Sequence, residues 1–207
     1  MISVFCHSYC MITKSESLLI HTIILLSISM LTFQFFGEEV VYHRIFISNG
    51  ELWRIVSGNF THSNFPHLFL NLAGLWIFTF LFIDTLKTKT FIVSTTFLSI
   101  FVGLGLYLLN PELTRYYGFS GVLYGLFICG ATGAILHKDL FTGASVIIFI
   151  IGKVIWDLYY GGNSSSEELI GIPVAVDAHL YGLIGAMIIS SFLIFKQHRT
   201  KYTPPTF

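Results

Sequence analysis

The chain has 207 residues, 54% of them hydrophobic and 11% charged, with a mean hydropathy of +0.77 and a formal net charge of zero. A soluble domain carries about 25% charged residues, so this composition excludes an ordinary soluble domain. The zero net charge says nothing about partners, and no basic tract suits a nucleic acid. Several runs approach the roughly 20 apolar residues that cross a bilayer core, which predicts an all-α, polytopic membrane protein built as one helical bundle.

Residues 1–16 form a short, weakly patterned tail in which Met11 offers an alternative start. Cys6 and Cys10 lie in this tail and Cys129 lies inside an apolar run, so no disulfide framework or metal spacing emerges. Spans are expected over 17–36, 66–83, 90–109, 119–137, 140–160 and 176–195, giving a six-helix domain over 17–195 and a tail over 196–207. The first span lacks a small-residue cleavage site and reads as a retained helix, not a signal peptide. The loop 37–65 keeps Tyr42, Ile45, Phe46, Ile47, Leu52 and Trp53, a composition suited to the membrane interface. A polar linker, Gly161 to Ser166, separates the fifth and sixth spans. Lys14, Lys87, Lys89, Lys138, Lys196, Arg199 and Lys201 fall on one side, and Arg44, Arg54 and Arg115 on the other. The positive-inside rule then makes both termini cytoplasmic.

Polar side chains inside spans are costly and tend to mark function. Spans two, four and six run in the same direction, and each carries such residues near its outer start: His67 and Asn71, Ser120, and His179. Ser120 sits in Gly118-Phe119-Ser120-Gly121, where a loop becomes a helix. Glycine lets backbone approach a ligand closely, and a helix start leaves N–H groups free for a developing oxyanion. Gly121-x-x-x-Gly125 is a close-packing signature. Gly182 and Ala186 present small residues on span six, so spans four and six can approach and bring His179 beside Ser120. Tyr124, one turn below Ser120, is placed to stack on His179. Asp177 is two residues from His179, a spacing that faces it elsewhere, so a serine–histidine dyad is the reading. His67 and Asn71 share a helix face and can donate to a substrate carbonyl oxygen. Lys153 and Asp157 are spaced to pair within span five. A zinc site of His62, His67 and His179 is a weaker alternative, and a proton-relaying transporter using His67, His179, Lys153 and Asp157 would need broken helices or repeats that the sequence lacks.

These residues together resemble the rhomboid proteases: Trp53-Arg54, Thr61-His62, His67-x-x-x-Asn71, Gly118-Phe119-Ser120-Gly121 with Tyr124, and Ala178-His179 with Gly182. The resemblance implies a six-helix rhomboid fold with Ser120 as nucleophile and His179 as its general base. It also implies an oxyanion hole of His67, Asn71 and the Ser120 N–H, supported by Gly118 and Gly121. Span five would be a mobile side wall, with Lys153, Trp156 and Asp157 at a gate or reading the substrate. No cofactor or metal is implied. The resemblance implies transmembrane protein substrates and the bilayer as partners, in a bacterial inner membrane with the site opening outward. Asn71-Leu72-Ala73-Gly74, Gly152-Lys153 with Trp156, and Val174 to Gly182 are similar to the rhombosortases. That implies exported substrates with a C-terminal Gly-Gly-type sorting tail. The alternatives are a general rhomboid protease and an inactive rhomboid-like protein that binds helices.

Overall fold

The computed structural model describes residues 13–162 and 164–202. Residues 1–12, with Cys6, Cys10 and Met11, lie outside it, as do Asn163 and residues 203–207. Helix α1 (Lys14–Phe33) opens on a capping box: the Thr13 side chain accepts from Glu16 N, and the Glu16 carboxylate accepts from Thr13 N. The loop that follows is folded throughout. It forms α2 (Gly37–Val40), β1 (Tyr42–His43), α3 (Arg44–Ser48), α4 (Arg54–Ser57) and a 3-10 turn over Gly58–Phe60. Ile45, Leu52 and Trp53 stay exposed on this segment, as an interfacial loop requires.

Two arginines explain why this loop holds its shape. Arg44 donates to the carbonyls of Leu106, Tyr107 and Asn110 at the end of α6 (Thr88–Leu109), where helical bonding runs out. Arg54 is buried; it pairs with Glu51 and donates to the carbonyls of Glu38 and Val41. Strand β1 pairs with β2 (Arg115–Tyr116), with Tyr42 opposite Tyr116.

The remaining long helices are α5 (Phe65–Phe82), α7 (Ser120–Leu136), α8 (Leu140–Tyr160) and α10 (Val176–Tyr202), with the short α9 (Ser164–Ile170) between the last two. Among the described residues five helices, α1, α5, α6, α8 and α10, are long and apolar enough to cross a membrane. The expected fourth span, α7, is the exception, with 17 residues. At 1.5 Å per residue it is about 26 Å long, short of a hydrocarbon core about 30 Å thick. Protein encloses it instead: α5, α6, α8 and α10 all pack on it, and its side chains need not match the lipid. The last helix also departs from expectation. It continues past residue 195 to Tyr202, because Lys196, Gln197 and Arg199 are good helix formers even where the apolar run has ended.

The core centres on α7. Leu75, Phe78, Phe82, Phe91, Leu98 and Leu126 form its body, and Tyr42, Ile55, Val102, Tyr116 and Tyr181 form a second cluster beneath the folded loop. The α7–α10 seam is the tightest contact. A methyl group added at Gly121 would stand 2.7 Å from the Ala178 carbonyl oxygen, and one at Gly125 would stand 2.7 Å from that of Gly182. The small residues singled out in the sequence therefore let two backbones meet.

Candidate active site

The seam brings Ser120 and His179 together. His179 Nε2 lies 2.9 Å from Ser120 Oγ, although the residues are 59 apart in the chain. Ser120 is the first residue of α7 and half-buried; His179 is buried in the first turn of α10. The ring of Tyr124 lies parallel to that of His179, with centroids 4.2 Å apart and planes 6° from each other. A hydroxyl beside a ring nitrogen, with the ring fixed from one face, can pass its proton to that nitrogen.

The turn before Ser120 has its own supports. Gly118 has φ 114°, a left-handed conformation that side chains disfavour. Its N–H donates to Thr61 O at 2.7 Å, and its carbonyl accepts from Tyr116 Oη at 2.7 Å. Burial pushes the Tyr116 phenol pKa up, so it stays a donor. The first hydrogen bond inside α7 runs from Leu123 N to Phe119 O, so the Ser120 N–H has no partner within the helix.

His67 and Asn71 line the same cavity as Ser120, Tyr124 and His179, a space of about 880 Å³. A methyl group at Gly118 would lie 2.7 Å from His67 Nε2 and 3.9 Å from Asn71 Nδ2, so both face the turn that presents the serine. Asn71 Nδ2 gives one hydrogen to His67 O at 3.0 Å and has a second available. His67 carries a constraint absent from the sequence reading. Ser63 Oγ donates to Ile170 O at 2.7 Å and stands 3.1 Å from His67 Nδ1. A serine has one hydrogen, so Ser63 accepts from Nδ1–H, and Nε2 of the neutral ring is an acceptor. For Nε2 to donate, the ring must be protonated or the bond from Ser63 to the α9 segment must open. His62 stands with its ring 5.0 Å from that of His67, and burial lowers its pKa to about 3, which keeps it neutral. Among the described residues no three His, Cys, Asp or Glu side chains are grouped to hold a metal.

The residues expected at a gate divide. Trp156 is exposed and packs on Tyr160. Lys153 reaches the cavity and contacts Asp157 Oδ1. Asp157 itself is fully buried, with Oδ2 3.3 Å from His179 Nδ1. Sequence reasoning missed this neighbour, because it tested only Asp177 as a third group. Asp177 instead accepts from Asn110 Nδ2 at 2.5 Å. The available signal was a carboxylate inside an apolar span, level with the outer starts of spans four and six.

A family model, Rhomboid domain, matches residues 49–196. The chain belongs to the rhomboid family. The second half of its folded loop, its short central helix and the residues that line the cavity fall within the rhomboid match. The candidate rhomboid protease YdcA of Bacillus subtilis (strain 168) is 24% identical over 169 residues, covering 78% of this chain and 77% of that protein. Membership and this kinship support an intramembrane protease, a multi-pass membrane protein whose substrates are transmembrane proteins in a bilayer.

Proposed function

We propose that this rhomboid is a serine endopeptidase in which Ser120 attacks the scissile carbonyl and His179 takes its proton. The observation that carries the reading is the 2.9 Å contact between Ser120 Oγ and His179 Nε2 at the wall of the cavity. As the Oγ–C bond forms, the hydroxyl proton moves to Nε2. The oxyanion is held by the Ser120 N–H and the free hydrogen of Asn71 Nδ2, with His67 joining when Ser63 is released from Ile170. Nε2 then gives its proton to the leaving amine as the C–N bond breaks, and water hydrolyses the acyl-enzyme. Cleavage of a transmembrane reporter by the wild type, with none by Ser120→Ala, is the expected result; turnover by Ser120→Ala removes the assignment.

The substrate class follows the rhombosortase resemblance: exported proteins with a C-terminal Gly-Gly motif, an apolar helix and a basic cluster. A bond inside a helix is shielded and must first be unwound. Each Gly costs a helix about 1 kcal/mol relative to Ala, so two at the helix edge favour opening by about 2 kcal/mol, roughly thirtyfold in exposed population. Replacing both glycines of such a reporter by Ala is expected to slow cleavage about tenfold or more; equal cleavage would make this a general rhomboid protease. The site opens outward from a bacterial inner membrane, with both termini cytoplasmic, in keeping with the Lys and Arg distribution. In a cysteine-free background, an impermeant reagent applied to intact cells should label Glu168→Cys and spare Lys87→Cys. The reverse pattern overturns the orientation.

A further inference from the structure

We propose that Asp157 is a positioning residue for His179, turning the serine–histidine pair into a triad whose carboxylate is held in place by Lys153. The inference rests on the reading of Ser120 as nucleophile and His179 as base.

The argument starts from the two nitrogens of one ring. A neutral imidazole donates from one nitrogen and accepts at the other, and the partner of the first decides which is which. On one side of His179 stands Ser120 Oγ, which can either donate or accept. That partner alone leaves the tautomer open. On the other side, at Nδ1, stands Asp157 Oδ2 at 3.3 Å. An ionised carboxylate only accepts. Nδ1 therefore carries the hydrogen, and the lone pair of Nε2 faces the serine hydroxyl, the arrangement a general base requires. When Nε2 takes the serine proton, the ring becomes a cation with a carboxylate already beside it. The Nδ1 hydrogen stays on His179 throughout.

The surroundings explain how a carboxylate persists there. Its side chain is completely buried within a helix that is long and apolar enough to cross a membrane. A lone charge at such a depth is expensive, and those that occur are paired. Lys153, one turn earlier on α8, contacts Oδ1, the oxygen that His179 does not use. The lysine side chain is 35% exposed and lines the cavity, so its charge keeps contact with the polar space. This fixes the carboxylate rotamer with Oδ2 toward the ring. Tyr124 closes the arrangement from one face by stacking on His179. Tyr124 and Ser120 from α7, Asp157 with Lys153 from α8, and His67 from α5 are the polar or charged groups around the ring. Of these, Asp157 is the carboxylate in contact with it.

A purely structural tie between α8 and α10 would serve with any hydrogen-bonding partner at this position, and this difference sets the test. Steady-state kcat and KM are measured on a transmembrane reporter in proteoliposomes for the wild type, Asp157→Asn, Asp157→Glu and Ser120→Ala. The double variant Lys153→Met/Asp157→Asn, which leaves no unpaired charge, is measured beside them. Asp157→Asn and the double variant should both lose about a hundredfold or more in kcat with little change in KM. Asp157→Glu should recover part of that loss. Nitrogen-15 histidine spectra, assigned by difference against His179→Ala, should show the wild-type ring protonated at Nδ1 and lose that signature in the double variant. A double variant within about threefold of wild-type kcat, or a wild-type ring protonated at Nε2, overturns the proposal. The wild-type spectrum decides even if Asp157→Asn fails to fold. Turnover by Ser120→Ala breaks the underlying reading; an inactive Ser120→Ala beside a fully active double variant breaks only this inference.

Discussion

Helices α7 and α8 are neighbours that meet the rest of the molecule in different ways. Of the 17 residues of α7, eleven are buried, and its glycines admit the backbone of α10. Of the 21 residues of α8, only Gly143, Ile150, Val154 and Asp157 are buried, while Ile148, Phe149, Ile155 and Tyr159 face outward. The first helix is a fixed frame for Ser120. The second buries few of its residues, and in its last ten the buried ones are Val154 and the carboxylate beside His179. The serine–histidine pair thus belongs to the tighter seam. The Lys153–Asp157 pair belongs to a helix with most of its apolar surface exposed.

The largest effects should come from the seam. Ser120→Ala and His179→Ala should each abolish turnover, with the double variant no worse than either, because groups that act as a unit are not additive. An additive double variant would separate the two residues. Next is Gly182→Leu, whose side chain would run into the Gly121 carbonyl. Overpacking costs about 1–3 kcal/mol or more, so a lowered Tm in detergent and lost activity are expected together. Asn71→Ala should lose about 10²–10³ in kcat as one oxyanion donor, with Tm little changed. Tyr124→Leu removes a stacked ring worth about 0.5–1.5 kcal/mol, and a loss of roughly twofold to tenfold in kcat should follow. The smallest effect is expected at Gly152, on the exposed part of α8 away from Asp157. A methyl group at Gly152 meets nothing within 4 Å, so Gly152→Ala should leave kcat unchanged and raise stability by about 1 kcal/mol or less. A Gly152→Ala enzyme as damaged as Gly182→Leu would erase the contrast between the helices.

Much of the seam was legible in the sequence. Gly121, Gly125, Gly182 and Ala186 are small residues at helical spacing, and close packing needs little more than that. The helix starts carrying His67, Ser120 and His179 could be aligned from span direction alone. The shortness of α7 was harder to see, because apolar runs report hydrophobicity and not what encloses them. The Ser63 bond to Ile170 was invisible, since it joins residues 107 apart through a backbone carbonyl. Asp157 could be paired with Lys153 by spacing, but its second oxygen meets a ring from another helix. That contact depends on how α8 rotates about its axis, which an apolar helix exposed on most of its surface does not specify.

The most direct test is to find which atom reacts. The wild-type protein in proteoliposomes is treated with a fluorophosphonate, digested, and mapped by mass spectrometry. The account predicts a single adduct on Ser120, lost in His179→Ala. An adduct on another residue, or equal labelling of Ser120 without His179, would contradict it.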